Sequence, residues 1–539
     1  MTKKQTKTIT ALTIAAVILA LMVSGRFWYR LDLTKSKAYT ISKVSRNLYR
    51  ELPNPVHITY YLSDKLRTET HIVAEIEDTL REYASYSRGR IQLSVKDPVK
   101  TGVSVTVEEF GLSPMQVSNV EQDQASLATV YSGIVIEYLD KIEIIPWVGS
   151  TNTLEYDITS RIRSMVNDTE RVIGVIIGDG YRGMREDYGY LEVILASSGY
   201  RIRQIFPGEE IPDNLPGLFV LGGAEELDNW ALYRIDRYIQ LGGRVFFCVS
   251  GIYVDTFYGT LQARPQEDLG LLDMIASYGV IIRPEIALDR NALQMQYQSV
   301  TPSGSWQYKL ARYPPWIGIL SENGNRNHPV SASFTGLDLY WASPLDIYPL
   351  ENVQSEILFT SSDDSWVMRE AFHTNPDILY MMEMEYNETK GKKTLGVALT
   401  GQFRSFFRGS KKPVREGSDE ELPDMPLQAA SSRIIVVGNL DFATNMLAAT
   451  QALHNLDFLL RVADWLVNDE DIIGIRNRQP QAGRFDKIAD PAKRASAMRF
   501  TQILNVFVVP FLVIAAGVIL AYRRRLRSKV KSGEASGDI

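Results

Sequence analysis

The sequence predicts an α/β protein of several domains that lies between two apolar segments, and three observations lead to this expectation. The chain has 539 residues, which is enough for roughly three or four domains at about 150 residues each. Short, nearly unbroken apolar runs, typical of buried parallel strands, alternate with stretches that carry apolar residues at helical spacing. Two longer apolar runs lie near the ends of the chain, each beside a cluster of basic residues.

These patterns divide the chain into segments with different expected roles. In chain order the predicted segments are residues 1–30 (N-terminus and first apolar run), 31–168 (first α/β domain), 169–290 together with 430–476 (second α/β domain), 291–429 (an insertion), 477–500 (a connecting segment beside the membrane), 501–522 (second apolar run) and 523–539 (basic tail).

The first domain begins with a predicted β-α-β unit. Val56–Leu62 is typical of a strand, a helix with Ile72 and Leu80 on one face follows, and Ile91–Val95 is the second strand. A short helix, two strands joined by a turn and a last amphipathic helix complete the domain. This β-α-β-α-β-β-α order resembles thioredoxin, but residues 63–66 (Ser-Asp-Lys-Leu) stand where the redox CxxC motif would be. The resemblance therefore implies a thioredoxin-like binding scaffold without thiol chemistry.

The second domain is predicted to be a doubly wound α/β domain. It opens with Val172–Gly178, an apolar strand of the kind that is buried on both faces of a parallel sheet. Further β/α pairs follow, and the strand Arg433–Val437 and an amphipathic helix close the domain. Between the two parts of this domain, residues 291–429 show a less regular pattern of apolar residues, which predicts an insertion grafted onto the domain. Its charged stretch, residues 411–426, is expected to be a mobile, solvated loop that buries no apolar surface.

Candidate ligand-binding residues follow the predicted strands of this domain directly, where ligands bind in open α/β sheets. They are Asp179, Gly180, Gly222, Gly223, Ser250, Gly251, Asn439 and Asp441. In this interpretation a small ligand is held by loop amides and by the carboxylate of Asp179 or Asp441. The alternative is that the glycine, aspartate and asparagine residues at these positions only turn the chain.

Several classes of function lack the residues that they need. The P-loop pattern G-x-x-x-x-G-K-[ST] is absent, so the chain is not expected to hydrolyse ATP. Five histidines without paired spacing and a single cysteine, Cys248, predict no metal site, no cofactor and no disulfide framework. Because basic residues cluster at the two ends, the body of the chain is more acidic than the net charge of −6, which argues against nucleic-acid binding.

The apolar runs at 9–23 and 501–522 are predicted membrane helices. The second run has 22 residues without a charge, close to the roughly 20 that cross a bilayer. A cleaved signal peptide is the alternative for the first run, but no small-residue cleavage site follows it. Basic residues before the first run and after the second predict that both termini are cytoplasmic and that residues 26–500 are extracytoplasmic, in a two-pass protein of the bacterial inner membrane.

Five residues beside or within these runs are candidate contacts with lipid or with a partner subunit. Trp28 is an interfacial aromatic residue, and Pro510 would kink the second helix near its middle. Arg523, Arg524 and Arg525 begin the basic tail, which suits the anionic surface of the lipid bilayer.

Motifs near both ends resemble a known family. They are Arg30-Leu31-Asp32-Leu33-Thr34, Tyr39-Thr40-Ile41-Ser42, Val437-Gly438-Asn439-Leu440-Asp441-Phe442, Asp464-Trp465-Leu466 and residues 469–476 (DEDIIGIR). In order and spacing they resemble the gliding-motility-type ABC transporter auxiliary family (GldG-like), over about residues 26–522. The resemblance implies a non-ATPase subunit that works beside a separate permease and a separate ATPase.

The second domain is also similar to the class I glutamine amidotransferase fold. Gly222 and Gly223 match the two glycines that end a strand in that family, and residues 246–251 (FFCVSG) correspond to its nucleophile elbow. The nucleophile's position holds Val249, and Cys248 stands one position early. His454 lacks the family's His-x-Glu pairing, so the resemblance implies that amidotransferase chemistry is lost.

Two hypotheses about function follow from the sequence. The first is a binding and coupling subunit of an ABC-type transport complex whose extracytoplasmic domain engages an envelope polymer, a protein cargo or an envelope partner. The second is an envelope hydrolase that cleaves an amide or ester with Cys248 or Ser250. The altered elbow favours the first hypothesis, in which the chain is not an enzyme.

Overall fold

The computed structural model describes residues 40–475 with short gaps, together with residues 496, 499 and 500. The gaps are residues 71, 110, 113, 122–123, 152, 168–170, 257–260, 302, 333–334, 416–420 and 468–473. Both predicted membrane helices lie outside the described residues, as do their candidate contact residues Trp28, Pro510, Arg523, Arg524 and Arg525. In the part of the chain that is described, no helix is long and apolar enough to span a membrane.

Residue contacts divide the chain into two compact units, Met1–Gln479 and Pro480–Ile539. In the second unit the described residues Ser496, Arg499 and Phe500 are helical. All elements that follow belong to the first unit, which contains the two α/β domains.

The first domain is built on a four-stranded mixed sheet. Its elements in chain order are α1 (Lys43–Glu51), β1 (Val56–Leu62), α2 (Asp64–Glu69), α3 (Ile72–Tyr86), β2 (Ile91–Lys96), α4 (Ser104–Glu109), β3 (Met115–Glu121), β4 (Gln124–Val130), β5 (Ser132–Tyr138), β6 (Lys141–Ile145) and α5 (Leu154–Asn167). The strand order is β2-β1-β5-β6, with β1 parallel to β2 and antiparallel to β5. The sequence did not predict α1 or the separate hairpin of β3 and β4.

The second domain contains a seven-stranded sheet. Its first elements in chain order are β7 (Val172–Ile177), α6 (Met184–Ser197), β8 (Arg201–Gln204), β9 (Gly217–Leu221), α7 (Asn229–Gln240), β10 (Val245–Cys248), β11 (Ile252–Val254), β12 (Ala263–Pro265), α8 (Leu271–Ser277), β13 (Val280–Ile282) and β14 (Ile286–Asp289). The remaining elements are β15 (Ala292–Val300), β16 (Trp306–Leu320), β17 (Gly336–Tyr340), β18 (Leu345–Ile347), β19 (Val353–Thr360), β20 (Ser365–Met368), a 3₁₀ helix (Pro376–Glu383), α9 (Tyr386–Thr389), β21 (Thr394–Gln402), β22 (Ser431–Val437), α10 (Leu447–Thr450) and α11 (Leu453–Val467).

The sheet order is β19-β21-β22-β10-β9-β7-β8, in which the five strands from β22 to β8 are parallel. Side chains alternate between two cores on its opposite faces. On β22, Ile435 and Val437 join the core that α6 and α11 cover, whereas Ile434 and Val436 join the core that α7 and α8 cover. The helices therefore cover both faces of the sheet, as the unbroken apolar strands indicate.

Two strands from the predicted insertion extend this sheet. β21 pairs antiparallel with β22, and β19 pairs antiparallel with β21. Residues 291–429 therefore contribute strands to the sheet of the domain, and the apolar residues of β21 pack into the domain's own cores. The charged stretch differs from expectation, since Leu422 is buried against Trp230 and Tyr233 of α7.

Candidate functional site

The strand order reverses beside β7. The chain passes from β7 to β8 on one side of it and then crosses to β9 on the other side. In open α/β sheets ligands bind at the carboxyl ends of strands next to such a reversal, because the two diverging connections leave a crevice there. The loops after β7 and β9 therefore form the expected ligand-binding edge, and four of the sequence-predicted residues, Asp179, Gly180, Gly222 and Gly223, lie on them.

Glycines allow these two loops to touch. Gly222 and Gly223 have positive φ angles of 71° and 99°, which L-residues with side chains rarely adopt. A Cβ atom on Gly178 would lie 2.4 Å from the Cα of Gly223, and one on Gly222 would lie 2.5 Å from the carboxylate of Asp179. The two backbones consequently approach too closely for any other residue type at these positions.

Asp179 fills the space between the loops. One carboxylate oxygen, Oδ1, accepts a hydrogen bond from the Gly223 amide at 2.8 Å, and the side chain is almost fully buried. The other oxygen, Oδ2, has no hydrogen-bond partner among the described residues and lies 3.6 Å from Nε of Arg182. Burial raises the pKa of Asp179 to about 6, although the Gly223 amide and Arg182 act in the opposite direction.

Arg182 links this edge to β22. Its Nη2 donates to Asp441 Oδ1 at 3.0 Å, while its Nε atom is buried without a hydrogen-bond partner among the described residues. The hydroxyl of Tyr188, on α6, is also buried and unpartnered there, and burial holds its pKa well above the usual value. Arg182 and Tyr188 were not among the sequence-predicted site residues.

These residues form one polar cluster, consisting of Asp179, Arg182, Tyr188 and Asp441. It contains three buried polar atoms whose hydrogen bonds are unmade among the described residues, and such groups carry a desolvation cost that a bound polar ligand can relieve. Gly180, on the exposed side of the cluster, donates its amide to Glu226 Oε2 at 2.5 Å. Its charges and these unpartnered atoms make the cluster the candidate ligand site of the domain.

Three other sequence-predicted residues have structural partners instead. Ser250 Oγ accepts from the amide of Leu440 at 3.0 Å, and the amide of Gly251 donates to Ser343 Oγ at 2.9 Å. Asn439 is fully buried, and its side chain pairs with the backbone of Tyr340 and Phe442. At these positions the geometry fits the alternative in which polar residues fix the loops.

The elbow region offers no activated nucleophile. Cys248 is fully buried, its thiol donates to the carbonyl of Asn439 at 3.1 Å, and burial holds its pKa well above the usual value. A thiol in this state is a poor nucleophile because the thiolate is the reactive form. Val249 is buried in the opposite core, and Nε2 of His454 lies 3.0 Å from Asp338 Oδ1. Among the described residues, no group of histidine, cysteine or acidic side chains suits a metal ion.

The protein is therefore an α/β protein in which a polar cluster lies where the strand order of the main sheet reverses, beside β7. The family model described as "ABC-type uncharacterized transport system" matches residues 170–462, which covers this domain. The chain therefore belongs to that family, and this makes it an auxiliary component of an ABC-type transport system. A second model, for a domain of unknown function (DUF7088), matches residues 35–137 in the first domain.

Two individual proteins are similar to the chain. An uncharacterized protein of Borreliella burgdorferi is 26% identical over 515 residues, which cover 92% of this chain and 94% of that protein. The N-terminal domain of mmIFT52 matches with a TM-score of 0.32 and 10% identity, covering 56% of this chain and 98% of that one. At this TM-score the second likeness supports no conclusion about the fold.

Proposed function

We propose that the protein is a non-ATPase binding and coupling subunit that joins a separate permease and a separate ATPase in an ABC-type complex. The observation that carries this proposal is the state of the α/β domain inside the matched family region. Cys248 is buried and protonated, and Ser250 is engaged with the backbone. The domain therefore retains the architecture of a ligand-binding α/β fold while its candidate nucleophiles serve the packing of the loops.

The proposal includes the orientation inferred from the basic flanks. With residues 3, 4 and 7 and the tail from 523 onwards in the cytoplasm, residues 26–500 face the other side of the bacterial inner membrane. There the two α/β domains engage cargo or an envelope partner. The apolar run 501–522 and the basic tail provide the contacts with lipid and with the permease and ATPase.

We also propose a finer fold for each of the two α/β domains. The strand order β2-β1-β5-β6 supports a thioredoxin-like first domain, in which Ser63-Asp64-Lys65-Leu66 replaces the redox motif. The parallel strands and the glycine pair after β9 support a glutamine-amidotransferase-like second domain. We assign the protein to the gliding-motility type of the family from the terminal motifs.

Affinity purification tests the coupling role. A tag at Ile539 is used to isolate the full chain from membranes solubilised in a mild detergent, and the co-purifying chains are identified by mass spectrometry. We expect a permease and an ATPase of the ABC class. Recovery of neither subunit would contradict the proposal.

The same preparation separates the proposal from the alternative of an envelope amide or ester hydrolase. The double variant Cys248→Ala/Ser250→Ala removes both candidate nucleophiles, and Ser250→Ala alone is the control for the lost hydrogen bond to Leu440. We expect both variants to recover the same partners and to support the same growth phenotype. A phenotype lost in either variant, with the complex intact, would favour the hydrolase.

A further inference from the structure

We propose that the outer face of the β15–β16 hairpin binds a polysaccharide strand. From Gln294 to Val300, β15 pairs with β16 without a register shift, so that alternate residues from each strand share one face. The exposed face contains Val300 opposite Trp306, Gln298 opposite Tyr308, Gln296 opposite Leu310 and Gln294 opposite Arg312. We call these eight residues the hairpin face.

The large side chains of the hairpin face are strongly exposed. Trp306 is 71% exposed, Tyr308 70% and Leu310 64%. Burying an aromatic side chain contributes favourable free energy, and so exposing two neighbouring ones on a rigid strand indicates a surface that is covered when a partner binds. Trp306 and Tyr308 are two residues apart on β16, which places their rings on the same side.

The hairpin face is held in position from behind. On the opposite face, Lys309 Nζ lies 3.0 Å from Asp377 Oδ1, and Ser299 Oγ donates to the same carboxylate at 2.8 Å. Further along β16, Tyr313 is buried and donates its hydroxyl to the carbonyl of Thr374 at 2.5 Å. These contacts hold the hairpin against residues 374–377 and so restrain the position of the exposed aromatic rings.

The chemistry of the face selects the class of partner. Between Trp306 and Leu310 the face has no charge, and Arg312 stands at one end. A polyanion would need a row of cations, and an acidic or basic peptide would need complementary charge. Flat aromatic rings beside primary amides instead match a chain of uncharged sugar rings, whose C–H faces stack on the aromatic rings and whose hydroxyl and acetamido groups pair with glutamine.

One hydrogen bond within the face supports this match. Gln298 Nε2 donates to the hydroxyl of Tyr308 at 2.9 Å across the strand pair. This bond restrains the orientation of the Tyr308 ring. The amide oxygen of Gln298 takes no part in it and can accept a hydrogen bond from a ligand. A preorganised aromatic ring loses little freedom when it stacks on a ligand, which favours binding.

The envelope polymer of the proposed function is, in this inference, an uncharged or N-acetylated polysaccharide. The inference rests on the proposed function only for the extracytoplasmic location in which the chain meets that polymer. Binding by the purified chain requires neither permease nor ATPase. If the chain co-purifies with transporter subunits but does not bind the sugar, this inference is contradicted and the proposed function is not.

The test uses the full chain in detergent and chitohexaose, the soluble hexamer of β-1,4-linked N-acetylglucosamine, as the probe. Because Trp306 is strongly exposed, we expect the sugar to protect tryptophan fluorescence from quenching by acrylamide, and isothermal calorimetry gives the affinity. We expect Trp306→Ala and Tyr308→Ala each to bind about tenfold more weakly, as the loss of one stacking contact implies. Tyr308→Phe keeps the stacking ring and loses only the hydrogen bond from Gln298, so it should bind more tightly than Tyr308→Ala and more weakly than the parent chain.

Matched controls separate this role from general damage to the fold. Tyr348→Ala removes another half-exposed aromatic residue outside the hairpin and should bind the sugar like the parent chain. Equal melting temperatures for all variants would show that the hairpin is intact. Absence of binding, or binding that Trp306→Ala and Tyr308→Ala leave unchanged, would overturn the inference. Loss of vesicle binding or of self-association in these variants, without an effect on sugar binding, would also overturn it, in favour of a lipid surface or a second copy.

Discussion

Asp179 is a carboxyl group that the fold holds almost out of contact with water. Its pKa is about 6 in the folded protein and near the ordinary value of 3.8 when the chain is unfolded. The folded state therefore binds the proton more tightly, and stability falls as the pH rises from about 4 to about 6. Perturbed pKa values of this kind concentrate at functional sites, which is why Asp179 is the centre of the candidate cluster.

Replacing Asp179 by asparagine tests this dependence on pH. The free energy of unfolding of the parent chain should increase by up to about 3 kcal/mol when the pH is lowered from 7 to 4, relative to that of Asp179→Asn. Urea denaturation across this range measures the difference. Ser250→Ala, which removes a neutral group from the same sheet edge, should keep the pH profile of the parent. Parallel profiles for Asp179→Asn and the parent would show that the carboxyl group is not the source.

The residues of the cluster differ in how far the sequence predicts them. Asp179 and Asp441 follow buried strands directly, so their position at the sheet edge is predictable from strand periodicity. Arg182 and Tyr188 lie on the connection to α6 and within it, and their approach to Asp441 depends on the order of strands in the sheet. That order is set by long-range packing, which one sequence does not reveal.

At the scale of elements, the contact between the ends of β7 and β9 depends on glycine. A Cβ atom on Gly223 would lie 2.6 Å from the side chain of Leu227 and 3.0 Å from the Cα of Gly178, at a φ angle of 99°. Gly223→Ala should therefore destabilise the protein by roughly 1–2 kcal/mol through backbone strain. Steric overlap in this packed site should add about 1–3 kcal/mol more.

Gly409→Ala is the matched control for this element. Gly409 has a similar φ angle of 83°, but a Cβ atom there would meet nothing within 4 Å. Chemical denaturation should show only the strain component for Gly409→Ala and the larger loss for Gly223→Ala. Equal losses in the two variants would show that the loops of β7 and β9 separate easily, and that their close approach is not required.

The elements themselves were predictable to different degrees. The sequence predicts Val56–Leu62 with the bounds that the structure has, because a run rich in β-branched and aromatic residues between turn signals is typical of a strand. The sequence does not predict most of the strands from β11 to β20, since seven of them have only three to five residues, which is too few to show a period. β19 has a mixed burial pattern and joins the main sheet only through β21, which no local pattern indicates.

At the scale of the whole molecule, the two α/β domains meet at a buried polar joint. Asp464, on α11 of the second domain, is fully buried and accepts hydrogen bonds from Tyr156 of α5 in the first domain and from Tyr200, the latter at 2.5 Å. Arg171 lies 3.5 Å from the same carboxylate and stacks over the ring of Tyr200. A buried charge with this many partners costs much free energy if one of them is lost, so the joint favours a single arrangement of the domains.

Tyr156→Phe removes the hydroxyl that the first domain donates to Asp464 and keeps the aromatic ring. Leaving part of a buried carboxylate unsatisfied should cost about 1–3 kcal/mol, and because the loss falls between the domains it should weaken their coupling more than the stability of either one. We expect calorimetry to show one cooperative transition for the parent chain and two for Tyr156→Phe. Tyr60→Phe is the control, since the Tyr60 hydroxyl pairs at 2.9 Å with Ser132 inside the first domain. If both variants melt in one transition with equal shifts, the joint does not couple the domains.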